Sequence, residues 1–170
     1  EFPIMREPAE EDDPLVIPVD VQRETIKMVS IAAARDDSRP ILTGVSITYE
    51  NGMLTMAAAD GFRLSVRELP LESEYYEPVA MVIPARTLIE LERISADEEQ
   101  AVTLLLPKER SQVIFHMSNV DVVTQVIDGT FPDYRQIIPR DFTTRTIVDT
   151  ADLLQACKRA DIFAREANHT

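Results

Sequence analysis

Only one cysteine, Cys157, and two histidines, His116 and His169, occur among the 170 residues. An internal disulfide is therefore excluded, and so is a structural zinc site, which draws four ligands from such residues. That usage fits a reducing, cytoplasmic setting. Basic residues are also few: 17 Lys and Arg stand against 30 Asp and Glu, for a formal charge of −13. A chain so acidic does not coat nucleic acid by bulk attraction, so any contact with a polyanion must be local. Four glycines supply no phosphate-cradling loop. No apolar run approaches the roughly 20 residues of a membrane span, and no basic-then-apolar leader opens the chain. The chain has no initiator Met, opens on Glu1-Phe2-Pro3 and stops at Asn168-His169-Thr170, so it reads as an excised fragment.

Apolar residues make up 45% of the chain, enough to fill a core. Residues 1–14, rich in acids and proline, read as an interdomain linker. From Leu15 a short strand, 15–17, runs through Pro18 into a helical pattern over 19–35. Strands follow at 41–49, where Ile41, Thr43, Val45, Ile47 and Tyr49 alternate with other residues, then at 53–59 and 62–69. They are joined by Asn51-Gly52, a strong hairpin turn, and by Asp60-Gly61. An acidic loop with Glu72, Glu74 and Glu77 intervenes, and the same order returns: strand 79–83, helix 85–95, and strands near 101–106, 111–117 and 120–127. Turns fall at 108–110, Ser118-Asn119 and Asp128-Gly129.

The two runs share wording. Val16-Ile17-Pro18 and Val82-Ile83-Pro84 stand 66 positions apart, and after a similar interval Val148 leads into a third helical pattern at 150–163. The chain is thus predicted to be α+β, with duplicated βαβββ units of about 15–70 and 79–139, antiparallel sheets and helices packed on one face. A truncated third copy begins after residue 140.

On a helical wheel, Val21, Thr25, Met28, Val29, Ala32 and Ala33 share one face of helix 19–35, and Arg23, Lys27, Ser30 and Ala34 form a stripe opposite. Helix 85–95 turns Leu88, Leu91 and Ile94 inward and carries Arg86 and Arg93 on another side. Helix 150–163 has Leu153, Cys157 and Ala160 as its apolar set, with Gln155, Lys158 and Arg159 away from it. Lys27, Arg93 and Arg159 occupy one repeat position. Two readings stand open for this stripe. Solvated helix faces commonly carry Lys and Arg; equally, an acidic body with mildly basic helices suits loose contact with a sliding polyanion, neutralising few phosphates and reading no base.

Four phrases point to a family: Arg39-Pro40-Ile41-Leu42-Thr43-Gly44-Val45, Ala59-Asp60-Gly61-Phe62-Arg63-Leu64, Val82-Ile83-Pro84-Ala85-Arg86, and Ile127-Asp128-Gly129-Thr130-Phe131-Pro132-Asp133-Tyr134-Arg135. The chain resembles the β subunit of bacterial DNA polymerase III, the replicative sliding clamp, from Phe2 to about Asn168. The resemblance implies the middle clamp domain at 15–139 and the opening of the third at 140–170. It further implies a two-subunit, six-domain ring, helices lining a hole around duplex DNA, and no catalysis. Arg23, Lys27, Arg86, Arg93, Lys158 and Arg159 would then face DNA, with no metal or cofactor.

The resemblance also implies a surface pocket for short linear motifs of the polymerase III catalytic subunit, the clamp loader and repair polymerases. Its residues here would be Ala59, Gly61, Phe62, Arg63, Leu64, Pro132, Gln136 and Ile137. Leu64, Pro132 and Ile137 would form apolar walls, with Arg63 at the rim. Phe62 replaces a common His, Ala59 a common Thr and Gln136 a usual basic residue, so the groove should be more apolar and less positive. The intact protein is expected to be a homodimeric ring without membrane contact, and this stretch alone a monomer with negligible DNA affinity.

The same residues also admit other roles. Asp60, Asp128, Gly61 and Gly129 read first as turn formers, Phe131 and Tyr134 as packing residues, Cys157 as a small core residue, and His116 as solvent-facing. An enzyme built on Asp60, Asp128 and Asp133 would lack a nucleophile–base pair. An acidic peptide-binding scaffold that never encircles DNA would keep the groove and lose the meaning of the stripe.

Overall fold

The computed structural model describes residues 13–36, 38–71, 78–99, 101–106 and 111–164. The lead-in through residue 12, the loop at Glu72, Glu74 and Glu77, and the turn at 108–110 lie outside the described residues. The chain divides into two compact units, one ending at Pro132 and one starting at Asp133.

In the first unit, β1 (Asp13–Ile17) leads into α1 (Val19–Ser30), followed by β2 (Gly44–Glu50), β3 (Met53–Ala59) and β4 (Leu64–Pro70). The order then repeats as β5 (Val79–Pro84), α2 (Ala85–Ile94), β6 (Val102–Leu106), β7 (Gln112–His116) and β8 (Asp121–Gln125). The repeated Val-Ile-Pro wording has a simple physical role. Pro18 (φ −54°, ψ 135°) and Pro84 (φ −52°, ψ 126°) each stand immediately before a helix. The ring fixes φ where both an extended residue and a helical one can follow, so the strand passes straight into the helix without a side-chain cap.

The sheets are built by exchange. One has the order β1-β6-β7-β8 and the other β4-β3-β2-β5, all antiparallel. Each repeat therefore gives its first strand to the other's three-stranded meander, and the halves are interlocked. The buried side chains come from both repeats: Leu15, Ile26, Val29, Leu54, Ile83, Leu88, Leu91 and Leu104 are all almost wholly shielded and belong to one cluster. At roughly 1.5–3 kcal/mol for each such side chain removed from water, this cluster is the main source of stability.

Several boundaries differ from the sequence reading. The stretch from Ile41 to Thr43 is not strand but part of a 3-10 turn, Pro40–Thr43. Proline opens that turn, and it is closed by Leu42 N–H donating to the Arg39 carbonyl and the Thr43 hydroxyl to the Pro40 carbonyl. α1 stops at Ser30, five residues early. Ala32 and Ala33 tighten into three-residue bonds, and Ala34 N–H donates to Leu42 instead. The buried arc of α1 is also turned, by roughly 60°, from the one expected. It includes Gln22, Thr25, Ile26, Val29 and Ser30, so Ser30 leaves the exposed stripe while Met28 is exposed. The cause is α2, which packs against α1 from the side. On α2 itself Leu88 and Leu91 are buried as expected, whereas Ile94 is partly exposed.

The hairpin signal at Asn51-Gly52 is realised: Glu50 pairs with Met53, and both turn residues have positive φ (53° and 74°), as a tight two-residue connection requires. His116 faces solvent as expected, with Nδ1 2.6 Å from Asp121 Oδ1.

The second unit contains a 3-10 turn, Tyr134–Gln136, and α3 (Thr150–Ala164). Asp133 starts the turn by accepting from Arg135 N–H and Gln136 Nε2. α3 has no buried residue. Cys157 is therefore exposed, not a core residue. Leu153, Leu154, Ile162 and Phe163 are exposed as well, because the described part of this unit contains no sheet for the helix to cover.

Candidate nucleic-acid and peptide interfaces

α1 and α2 lie against each other and enclose a cleft of about 600 Å³. Lys27, Ser30 and Arg35 line it from the α1 side, and Arg86, Ile89 and Glu92 from the α2 side. Two basic residues singled out by sequence, Lys27 and Arg86, are thus brought into one cleft. Arg93, which holds the repeat position of Lys27, does not line the cleft, nor does Arg23.

The basic residues differ in how they are held. Arg23 reaches from α1 to the end of α2, where Nε and Nη2 donate to Glu92 Oε1 at 3.2 and 3.1 Å. It also donates to the carbonyls of Glu92 and Ala96. Those carbonyls lie at the C-terminal end of α2, where cations and donors are favoured. Lys27 Nζ stands 3.1 Å from the same Glu92 oxygen. The Lys27 hydrogen bond, ahead of that from Arg23, holds the Glu92 carboxyl below the usual carboxylate range. Glu92 was not singled out by sequence reasoning. Its only sequence signal is a position on α2 that the crossing angle brings opposite α1.

Arg86 is exposed at the start of α2. Arg93 pairs with Glu90 one turn away at 2.8 Å while remaining largely in solvent, an arrangement worth little to stability. Lys158 and Arg159 are exposed on α3 of the second unit.

Residues 59–64 form the tip of the β3–β4 hairpin. Asp60 organises it: Oδ1 accepts from the backbone N–H groups of Phe62 and Arg63, and Oδ2 accepts from Arg63 Nε at 2.8 Å. These bonds, the Arg63 side chain first, keep the Asp60 carboxyl below its ordinary range. Asp60 is thus a turn former, and Arg63 is anchored through Nε. Gly61 takes φ +93°. As a result Phe62 projects fully, 99% exposed, while Ala59 and Leu64 are half-buried at its base. Pro132 is exposed at the end of the first unit, and Gln136 and Ile137 are exposed in the second. Phe131 and Tyr134 are half-buried, the latter with the Arg135 guanidinium 5.6 Å from its ring centre. Among the described residues, no three His, Cys, Asp or Glu side chains gather as metal ligands. Nor is any helix there long and apolar enough to cross a membrane.

A duplicated domain of two exchanged antiparallel sheets and a paired set of basic-edged helices defines the clamp-domain class. Residues 16–133 match the family described as "DNA polymerase III beta subunit, central domain", and the chain belongs to that family. It is 34% identical over 160 residues to the beta sliding clamp of Bacillus subtilis, covering 94% of this chain and 42% of that protein. To the beta sliding clamp of Staphylococcus aureus it is 30% identical over 158 residues, covering 93% and 41%. The crystal structure of the DNA polymerase sliding clamp from Bacillus subtilis superposes with a TM-score of 0.90 at 34% identity, over 98% of this chain and 43% of that one. The chain spans less than half the length of these relatives.

Proposed function

We propose that the chain is the middle domain, residues 15–139, and the beginning of the third domain, 140–170, of a non-catalytic sliding clamp. The whole protein would be a homodimeric ring around duplex DNA that tethers the replicative polymerase. Affinity for any one stretch of DNA can be low when the link is topological, which suits a domain whose few cations sit in an acidic body. Arg23, Lys27, Arg86 and Arg93, with Lys158 and Arg159 on α3, would face the duplex through phosphate contacts that read no sequence.

The observation that carries the reading is the α1–α2 cleft, where Lys27 and Arg86 come together within a domain of the β-subunit family. The hairpin tip with Phe62, in the first unit, would take short linear motifs of the polymerase catalytic subunit, the clamp loader and repair polymerases; Pro132 in that unit, and Gln136 and Ile137 in the second, are further candidates for such contacts. Aromatic side chains commonly anchor such contacts.

Charge reversal of Lys27 and Arg93 to Glu in the full-length protein tests the DNA half of the proposal. Affinity for a short linear duplex at low salt should fall by at least about tenfold, since two cations are lost and two anions gained. Binding of a partner peptide should not change. A peptide-binding scaffold that never encircles DNA would lose neither, and that result would overturn the proposal.

A further inference from the structure

A single oxygen, Glu92 Oε1, receives both Arg23 (3.1 Å) and Lys27 (3.1 Å), the two cations that α1 offers to the candidate DNA face. Glu92 also lines the same cleft as Lys27, Arg35 and Arg86. From this geometry we infer that Glu92 is an internal counter-ion that competes with DNA phosphates for Arg23 and Lys27 and so sets a low ceiling on the affinity of this face. The inference rests on the reading of α1 and α2 as the DNA-facing helices.

The two cations are not held alike. Arg23 has a further anchor in the Glu92 and Ala96 carbonyls and a side chain 30% exposed, whereas the Lys27 side chain is 60% exposed. Lys27 therefore exchanges first. A phosphate entering the cleft replaces one Lys–carboxylate contact with one Lys–phosphate contact, so the net gain is small. Such a face grips weakly at every position along the duplex, as movement along DNA requires. A purely structural tie between α1 and α2 would not need the carboxylate to be shared, because the Arg23–carbonyl bonds already join the helices.

The test uses the full-length protein and a short linear duplex, with affinity measured across a series of salt concentrations. Glu92→Gln keeps an acceptor for Arg23 and removes the charge. It should bind several-fold tighter at low salt, with a salt slope steeper by about one to two phosphate equivalents. Glu92→Asp, which keeps the charge, should retain the wild-type slope. Arg23→Ala/Lys27→Ala should bind more weakly, and adding Glu92→Gln to that pair should restore nothing.

An unchanged slope in Glu92→Gln, when Arg23→Ala/Lys27→Ala weakens binding, overturns the counter-ion role and leaves the DNA-facing reading in place. No effect from Arg23→Ala/Lys27→Ala overturns both. Persistent tightening by Glu92→Gln without the two cations would show a general charge effect and overturn the inference. A loss of thermal stability alone, with the slope unmoved, would reduce Glu92 to a structural tie.

Discussion

Gly44→Ala is expected to lower the melting temperature by roughly 10 °C, about 3 kcal/mol, through overpacking. Gly44 opens β2 opposite Pro84 of β5, the contact through which one repeat accepts the other's first strand. Its backbone is extended (φ −100°, ψ 171°), so alanine brings no conformational strain. The cost is steric. A Cβ there would overlap Val82 Cγ1 and stand 2.8 Å from Ile127 Cδ1 and 3.0 Å from the Ile83 carbonyl oxygen. Ile127 Cδ1 ends a half-buried side chain and can turn aside, but Val82 is buried on a stiff β-branched stem and the Ile83 carbonyl belongs to the sheet, so neither can withdraw without loosening the β2–β5 join. Thermal unfolding monitored by circular dichroism decides the point. A shift within about 2 °C would contradict so close an approach.

Phe62→Ala should have the opposite profile, leaving the melting temperature unchanged and weakening partner-peptide binding by about 30-fold. That factor corresponds to the roughly 2 kcal/mol of an aromatic hot spot. With its ring 99% exposed, Phe62 contributes no folding energy, and the Asp60 bonds that shape the turn use backbone N–H groups and Arg63, not the Phe62 side chain. Fluorescence anisotropy with a labelled peptide from the clamp-binding segment of the polymerase catalytic subunit measures it. Because the anchor is apolar, the affinity should change little with salt. Undiminished binding by Phe62→Ala would remove the hairpin tip from the peptide site.

Much of this architecture was readable in the residues. Asn51-Gly52, the paired Val-Ile-Pro phrases and the starts of all three helices are set by local chemistry, namely positive φ at the turn, a fixed proline φ before α1 and α2, and the Asp149 carboxylate accepting from the Ala151 and Asp152 N–H groups at the start of α3. The exchange of β1 and β5 was not readable. A repeat that closes on itself and one that trades its first strand bury the same alternate residues, so the patterns are identical. The face of α1 was misjudged for a related reason. Periodicity locates an apolar arc, but the lateral packing of α2 decides that Ile26 is buried and Met28 is not. Spacing places Cys157 in an apolar set and so predicts a core position, yet the apolar residues of α3 lie exposed. At the candidate site, sequence found Arg23 and Lys27 by their spacing. It missed Glu92 because an ion pair across 69 and 65 positions depends on how two helices cross.

The most direct test of the central claim is to load the full-length protein onto nicked circular DNA and then linearise the DNA with one cut. If the protein is a ring held by topology, it is retained on the circle and runs off once an end exists, even at salt concentrations that leave the circle occupied. If cutting the circle changes nothing, ordinary binding holds the protein there, and the clamp account of this chain is wrong.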